Sequence, residues 1–142
     1  MKILIAVDGS KPALHAVKQC IKLMGQMTAA PHSVTLVSVH DDAGLRHAQK
    51  YVGRGVVADY LRELSEKDLK PAQKLLDAAG LKHNMDIRTG HVAQEIVACS
   101  KAGKFDLLIL GAKGRGALVD MLLGSVAQRV LAMSTTPVLL VK

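Results

Sequence analysis

Glycines at positions 111, 114 and 124, with a serine directly after the last, give the pattern Gly111-x2-Gly114-x9-Gly124-Ser125. The pattern follows a short apolar run, Leu107 to Leu110, and leads into helical spacing that begins near Ser125. Glycine lets main-chain N–H groups approach an anion with no Cβ in the way. The first N–H groups of a helix have no partner within it, and the helix dipole puts positive potential there. Lys113 and Arg115 add two cations to the same loop. These residue types at this spacing make a cradle for the phosphates of a nucleotide. Two better-known phosphate motifs do not fit. Gly116 and Ala117 occupy the positions where a P-loop needs glycine followed by lysine, and Val119 replaces the third glycine of a dinucleotide fingerprint.

The elements that must position this loop are read from hydrophobic periodicity. Ile3 to Val7 is a near-continuous apolar strand, and Asp8-Gly9-Ser10 turns the chain after it. Pro12 suits a first helical turn. Ala13, Ala16, Val17, Cys20, Ile21 and Met24 follow at helical spacing, and Gly25 is placed to stop that helix. Val34 to Val39 reads as a second strand. A basic, glycine-containing segment runs from Asp41 to about Gly55, with Arg46, His47, Lys50 and Arg54 as a cluster that is either a solvated loop or a lid over phosphates. A second helix spans about Val56 to Ala79, with Tyr60, Leu61, Leu64, Leu75, Leu76 and Ala79 as core positions and Pro71 expected to kink or split it. Lys82 to Thr89 alternates cleanly, which predicts an edge strand with one exposed face. A third helix covers Val92 to Ala102 and buries Val92, Ile96 and Val97. Asp106 to Leu110 is a central strand. In the fourth helix, Ser125 and Gln128 fit a capping box, and Val126, Val130, Leu131 and Met133 form an apolar stripe. Val138 to Val141, opened by Pro137, is the last strand. This alternation requires a parallel sheet with helices on both faces, in one domain spanning residues 1–142.

Composition narrows the partners. The formal charge is +7, which favours anions. The chain has no Trp, one Phe and two Tyr. An aromatic platform for stacking bases is therefore almost absent, which argues against nucleic acid. No apolar run approaches the length of a membrane span. Cys20 and Cys99 lie far apart on apolar helical faces with no metal-ligand spacing, and the first apolar run is too short for a signal-peptide core. Free thiols suit a reducing compartment, so the expected location is cytoplasmic.

On these residues the chain resembles the universal stress protein family over essentially its whole length. Ile3 to Ser10 is similar to that family's opening strand and turn, and Gly90 to Ile96 to its third-helix entry. Asp106 to Gly111 and Thr136 to Val141 are similar to its last two strands. The glycine pattern is that of the branch that binds ATP. The resemblance implies a five-stranded parallel sheet of order 3-2-1-4-5 with helices on both faces, a Rossmann-like arrangement. In such a sheet the ligand crevice opens at the carboxyl ends of the strands where the order reverses. That point lies between strands one and four, so Asp8 and Gly111 would face each other. Alone, Asp8 could equally organise its own turn; the opposing glycine loop favours a ligand contact.

Carried over by position, Asp8, with Ser10 beside it, is expected to contact the adenosine part of ATP, ADP or AMP. Ala6 and Leu110 would line the base pocket, and Val39 or His40 would offer main-chain groups to adenine. Gly111, Gly114, Gly124, Ser125 and Val126 would hold the phosphates and ribose. Lys113 and Arg115 are added for their charge. Mg²⁺ would arrive with the nucleotide, held mostly by phosphate oxygens and water. The resemblance also implies a homodimer through the edge strand at residues 136–142, and a protein partner it does not identify. No nucleophile–base pair or carboxylate dyad stands out, so nothing argues for a dedicated enzyme beyond slow ATP hydrolysis. The expected function is a stress-response regulator whose nucleotide occupancy changes its conformation, its dimer or its partner surface. The alternatives are a slow ATPase and a basic interaction protein with no nucleotide role.

Overall fold

Ile3, Leu4 and Ile5 are completely buried because the strand that carries them is covered on both faces and paired on both edges. The computed structural model describes residues 1–28, 31–115, 120 and 122–142. Its strands are β1 (Lys2–Ala6), β2 (Ser33–His40), β3 (His83–Thr89), β4 (Leu107–Gly111) and β5 (Val138–Val141). They form one sheet in the order β3-β2-β1-β4-β5, with every pairing parallel. Ile5 lies between Leu36 and Ile109 in register, and β3 and β5 form the edges.

Side chains alternate across a strand, so each strand feeds two cores. Ile3, Ile5, Val34, Leu36 and Ile109 pack under α1 (Lys11–Gln26) and α3 (Arg54–Ala78). Leu4, Val37, Val39, Leu108 and Leu110 pack under α4 (Val92–Ala102) and α5 (Ser125–Met133). The connection after β1 therefore leaves toward one face and the connection after β4 toward the other.

Several local expectations are corrected. Gly25 lies inside α1, which continues to Gln26. The chain then leaves in an extended conformation at Met27, whose N–H still reaches the Met24 carbonyl, so no left-handed glycine is needed. The basic segment is largely helical. A 3₁₀ turn at Ala43–Leu45 leads into α2 (Arg46–Val52), and Gly53, at φ 86°, separates it from α3. Residues such as Arg46, Ala48, Gln49 and Lys50 favour helix, and one glycine suffices to break it. Helix α3 runs unsplit through Pro71, carried past it by the fully buried Leu69, Ala72 and Leu76. Its buried stripe is Val57, Leu61, Ser65, Asp68, Leu69, Ala72 and Leu76, which leaves Tyr60 and Ala79 exposed. On α5, Ala127 and Val130 are buried while Leu131 and Met133 are exposed.

Strand β3 is an edge but has no wholly exposed face. Asp86 accepts a hydrogen bond from the Cys99 thiol at 3.3 Å, and Arg88 pairs with both Asp86 and Glu95. Those charged residues meet α4, so their alternation does not mark solvent.

Both cysteines are free and buried. Burial pushes the Cys20 thiol from 9.0 up to about 11. Burial, followed by the hydrogen bond to Asp86, does the same for Cys99. Unfolded thiols ionise near pH 9, before the folded ones, so the stability the neutral thiols contribute is complete below pH 9. It is lost as pH rises through 11. Denaturation midpoints measured from pH 8 to 11 should fall more steeply for the wild type than for a Cys20→Ala/Cys99→Ala variant.

Candidate functional site

The loops leaving β1 and β4 face each other at the carboxyl edge of the sheet, where the strand order reverses. Between them and the first turns of α4 and α5 lies a cavity of about 170 Å³. Its apolar walls include Ala6, Val37, Val39, Ile96, Leu110 and Val126. Asp8, Gly111, Lys113, Gly114, Arg115, Gly124 and Ser125 also line it. An apolar cavity of about 150 Å³ holds one aromatic ring. The pocket thus has room for a planar ring beside a rim rich in main-chain donors.

Asp8 ties the two loops together. Its Oδ1 accepts from the Ser10 amide at 3.0 Å and from the Ser10 hydroxyl at 2.5 Å. Its Oδ2 accepts from the Arg115 amide at 3.1 Å. A carboxylate offers about four acceptor sites, so one stays open after these three donors. Gly114 lies close against it: a Cβ there would sit 2.6 Å from Asp8 Oδ2, and the carboxylate would have to shift. At Gly111 a Cβ would come within 3.0 Å of the Lys113 carbonyl oxygen and of Pro12. The loop is glycine-rich because β1, α1 and the loop itself converge there.

The N-cap of α5 is Gly124, not Ser125. The Gly124 N–H is spent on the Ala112 carbonyl at 2.7 Å, which sets the extended conformation from which the helix begins. Ser125 is the first helical residue and is exposed, and α5 has no side-chain cap. The expected capping box is absent because Ser125 is already inside the helix, one residue past the N-cap; the Gln128 side-chain amide donates instead to the Leu123 carbonyl.

Eleven of the residues singled out in the sequence line this cavity: Ala6, Asp8, Val39, Leu110, Gly111, Lys113, Gly114, Arg115, Gly124, Ser125 and Val126. Ser10 and His40 do not. The Ser10 hydroxyl caps α1 by accepting from Ala13 N at 3.3 Å while donating to Asp8. Val39 faces the cavity, so the next residue along the strand must face the other side. His40 accordingly meets α3, its Nε2 lying 3.0 Å from Asp68 Oδ2, and its carbonyl accepts from the Gly90 N–H. Arg115 lines the rim but sends its guanidinium to Asp68, with Nη2 2.8 Å from Oδ1. Asp68 was not anticipated, although a charged residue on the buried stripe of α3 was its signal. The walls Val7, Ala13, Val37, Val92 and Ile96 read in sequence only as core, and Ala127 had no signal of its own.

A parallel sheet in this order, with a glycine-rimmed crevice at its reversal point, defines a Rossmann-like α/β domain. The model of the universal stress protein family matches residues 1–142, and the chain belongs to that family. It is similar to universal stress protein MJ0531 of Methanocaldococcus jannaschii, at 33% identity over 141 residues, covering 99% of this chain and 81% of that protein. The solved structure of MJ0577 from the same organism superposes with a TM-score of 0.84 at 29% identity, covering 99% of this chain and 94% of that one. A universal stress protein solved in complex with cAMP superposes with a TM-score of 0.73 at 24% identity, covering 100% of this chain and 97% of that one.

Substituting Gly111 by alanine should destabilise the fold by roughly 1–3 kcal/mol, because the added methyl meets backbone on two sides. Urea denaturation of Gly111→Ala checks this. Gly25→Ala, with nothing within 4 Å of its Cβ, serves as the control that should lose no stability.

Proposed function

We propose that this chain is a stress-response regulatory protein that binds ATP, or its di- or monophosphate, in the crevice between β1 and β4. The observation that supports this most is the joining of a ring-sized apolar pocket to a rim of glycine amides and an uncapped helix start. Adenine would sit against Ala6, Val39 and Leu110. The open acceptor site of Asp8 would take a ribose hydroxyl. The amides around Gly111, Gly114, Ser125 and Val126, with the Ser125 hydroxyl, would hold ribose and phosphates, Gly124 allowing their close approach while its own N–H stays on Ala112, and Lys113 and Arg115 supply positive charge. Mg²⁺ would be carried by phosphate oxygens and water. A family member solved with cAMP supports an adenine nucleotide as the ligand class. Occupancy would change the conformation of the rim and through it a partner surface, in a cytoplasmic setting.

Isothermal titration should show saturable ATP binding. Asp8→Asn should weaken it about tenfold, the size of one charge-assisted hydrogen bond. Absence of binding by ATP, ADP and AMP at millimolar concentration overturns the reading. Mass spectrometry of small molecules released on denaturing the purified protein identifies the resident nucleotide.

The dimer belongs to the same proposal. Strand β5 is a sheet edge, paired only with β4, and Leu139 on it is 36% exposed. An unpaired apolar edge favours pairing with a second copy. Light scattering should give the mass of a dimer, and Leu139→Lys should shift it toward monomer. A wild-type monomer at high concentration rejects it.

A further inference from the structure

We propose that Asp68 is a specificity-determining residue: it competes with the phosphates of a bound nucleotide for the Arg115 guanidinium, and so sets how strongly the site depends on phosphate. This rests on the nucleotide reading above and adds a residue from outside the crevice.

Asp68 lies on the buried stripe of α3 and is only 4% exposed, yet it carries a carboxylate. Both oxygens are engaged, Oδ1 by Arg115 and Oδ2 by His40. Arg115 is held at two points by two acids from different elements. Its amide donates to Asp8 at the crevice, while its side chain crosses to the α3 side. The crossing passes flush over the turn after β1. Gly9 adopts φ +78° there, and a Cβ on it would overlap Asp68 Oδ1 and come within 2.6 Å of Arg115 Nη2. The amide anchor keeps the residue at the rim whichever anion its guanidinium serves. The side chain is 60% exposed, so it can leave Asp68 without dislodging the core.

One guanidinium thus has two anionic claimants on opposite sides of β1. Arginine suits either, because its planar fork matches carboxylate and phosphate alike. A polyphosphate in the glycine loop adds negative charge on the α5 side and draws the guanidinium back. His40 makes the exchange affordable, since it leaves the buried Asp68 carboxylate with one partner. A ligand without phosphate cannot make the exchange, and Arg115 then stays on Asp68. The ion pair penalises nothing in adenosine binding and subtracts from ATP binding. It also carries occupancy of the crevice to α3, an element that does not line it.

The test is titration calorimetry with ATP and with adenosine. Asp68→Asn keeps the side-chain shape and should tighten ATP about tenfold, the worth of one charge-assisted hydrogen bond, while leaving adenosine unchanged. In an Arg115→Gln background the same substitution should have no effect on ATP. Unchanged or weakened ATP binding by Asp68→Asn, with the wild type binding normally, overturns this inference alone. Failure of the wild type to bind either ligand overturns the nucleotide reading and this inference with it. The wild type supplies a measurement that needs no variant: the His40 ring resonances should move on adding ATP and stay in place on adding adenosine. Identical responses to the two ligands also overturn the proposal.

Discussion

Ile3, Leu4 and Ile5 pair with Leu107, Leu108 and Ile109, and on this pairing the geometry of the crevice depends. Strand β1 sends its connection to the face covered by α1 and α3, and β4 sends its connection to the face covered by α4 and α5. Two adjacent parallel strands whose exits part in this way must leave an opening between them. The opening is walled on its apolar side by residues that also build the α4–α5 core. A rigid, close-packed interior therefore shapes the pocket, while the loops above it supply only the polar rim.

The rim is held by acids rather than by bases. Asp8 draws the glycine loop toward the β1 turn through the Arg115 amide, and Asp68 draws the Arg115 side chain further still. Both contacts satisfy buried or half-buried carboxylates, which are costly to leave unpaired. The basic balance of the chain is thus partly committed internally at the place where an anionic ligand would look for it. Net charge alone is a poor guide to how many cations the rim has to offer.

The strands, their parallel sense and most of the rim were legible in the sequence because they rest on short-range signals, whereas the sheet order came only from the family resemblance. Continuous apolar runs mark buried parallel strands, and glycine spacing marks close approaches of backbone. What was not legible depends on long-range placement. The His40 side chain meets α3 because Val39 took the crevice side, a parity set by registration with β1 and β3. Ser125 lost its capping role because the preceding amide found the Ala112 carbonyl. The helix at Arg46–Val52 is different, since its residues favour helix locally and Gly53 interrupts it. Asp68 stood in plain view at a core position of α3, but its partners are 28 and 47 residues away in sequence. Only the folded chain brings them together.

The burial of the two thiols has a consequence for the chemistry of the folded chain. Burial raises both thiols well above their ordinary range, so they stay neutral at neutral pH. Peroxide and disulfide reagents react with the thiolate, and both sulfurs are shut inside the two cores. For Cys99 the neighbouring Asp86 carboxylate further opposes the anion. Oxidation of the folded chain is therefore disfavoured at its two thiols and falls instead on exposed thioethers such as Met85 and Met133.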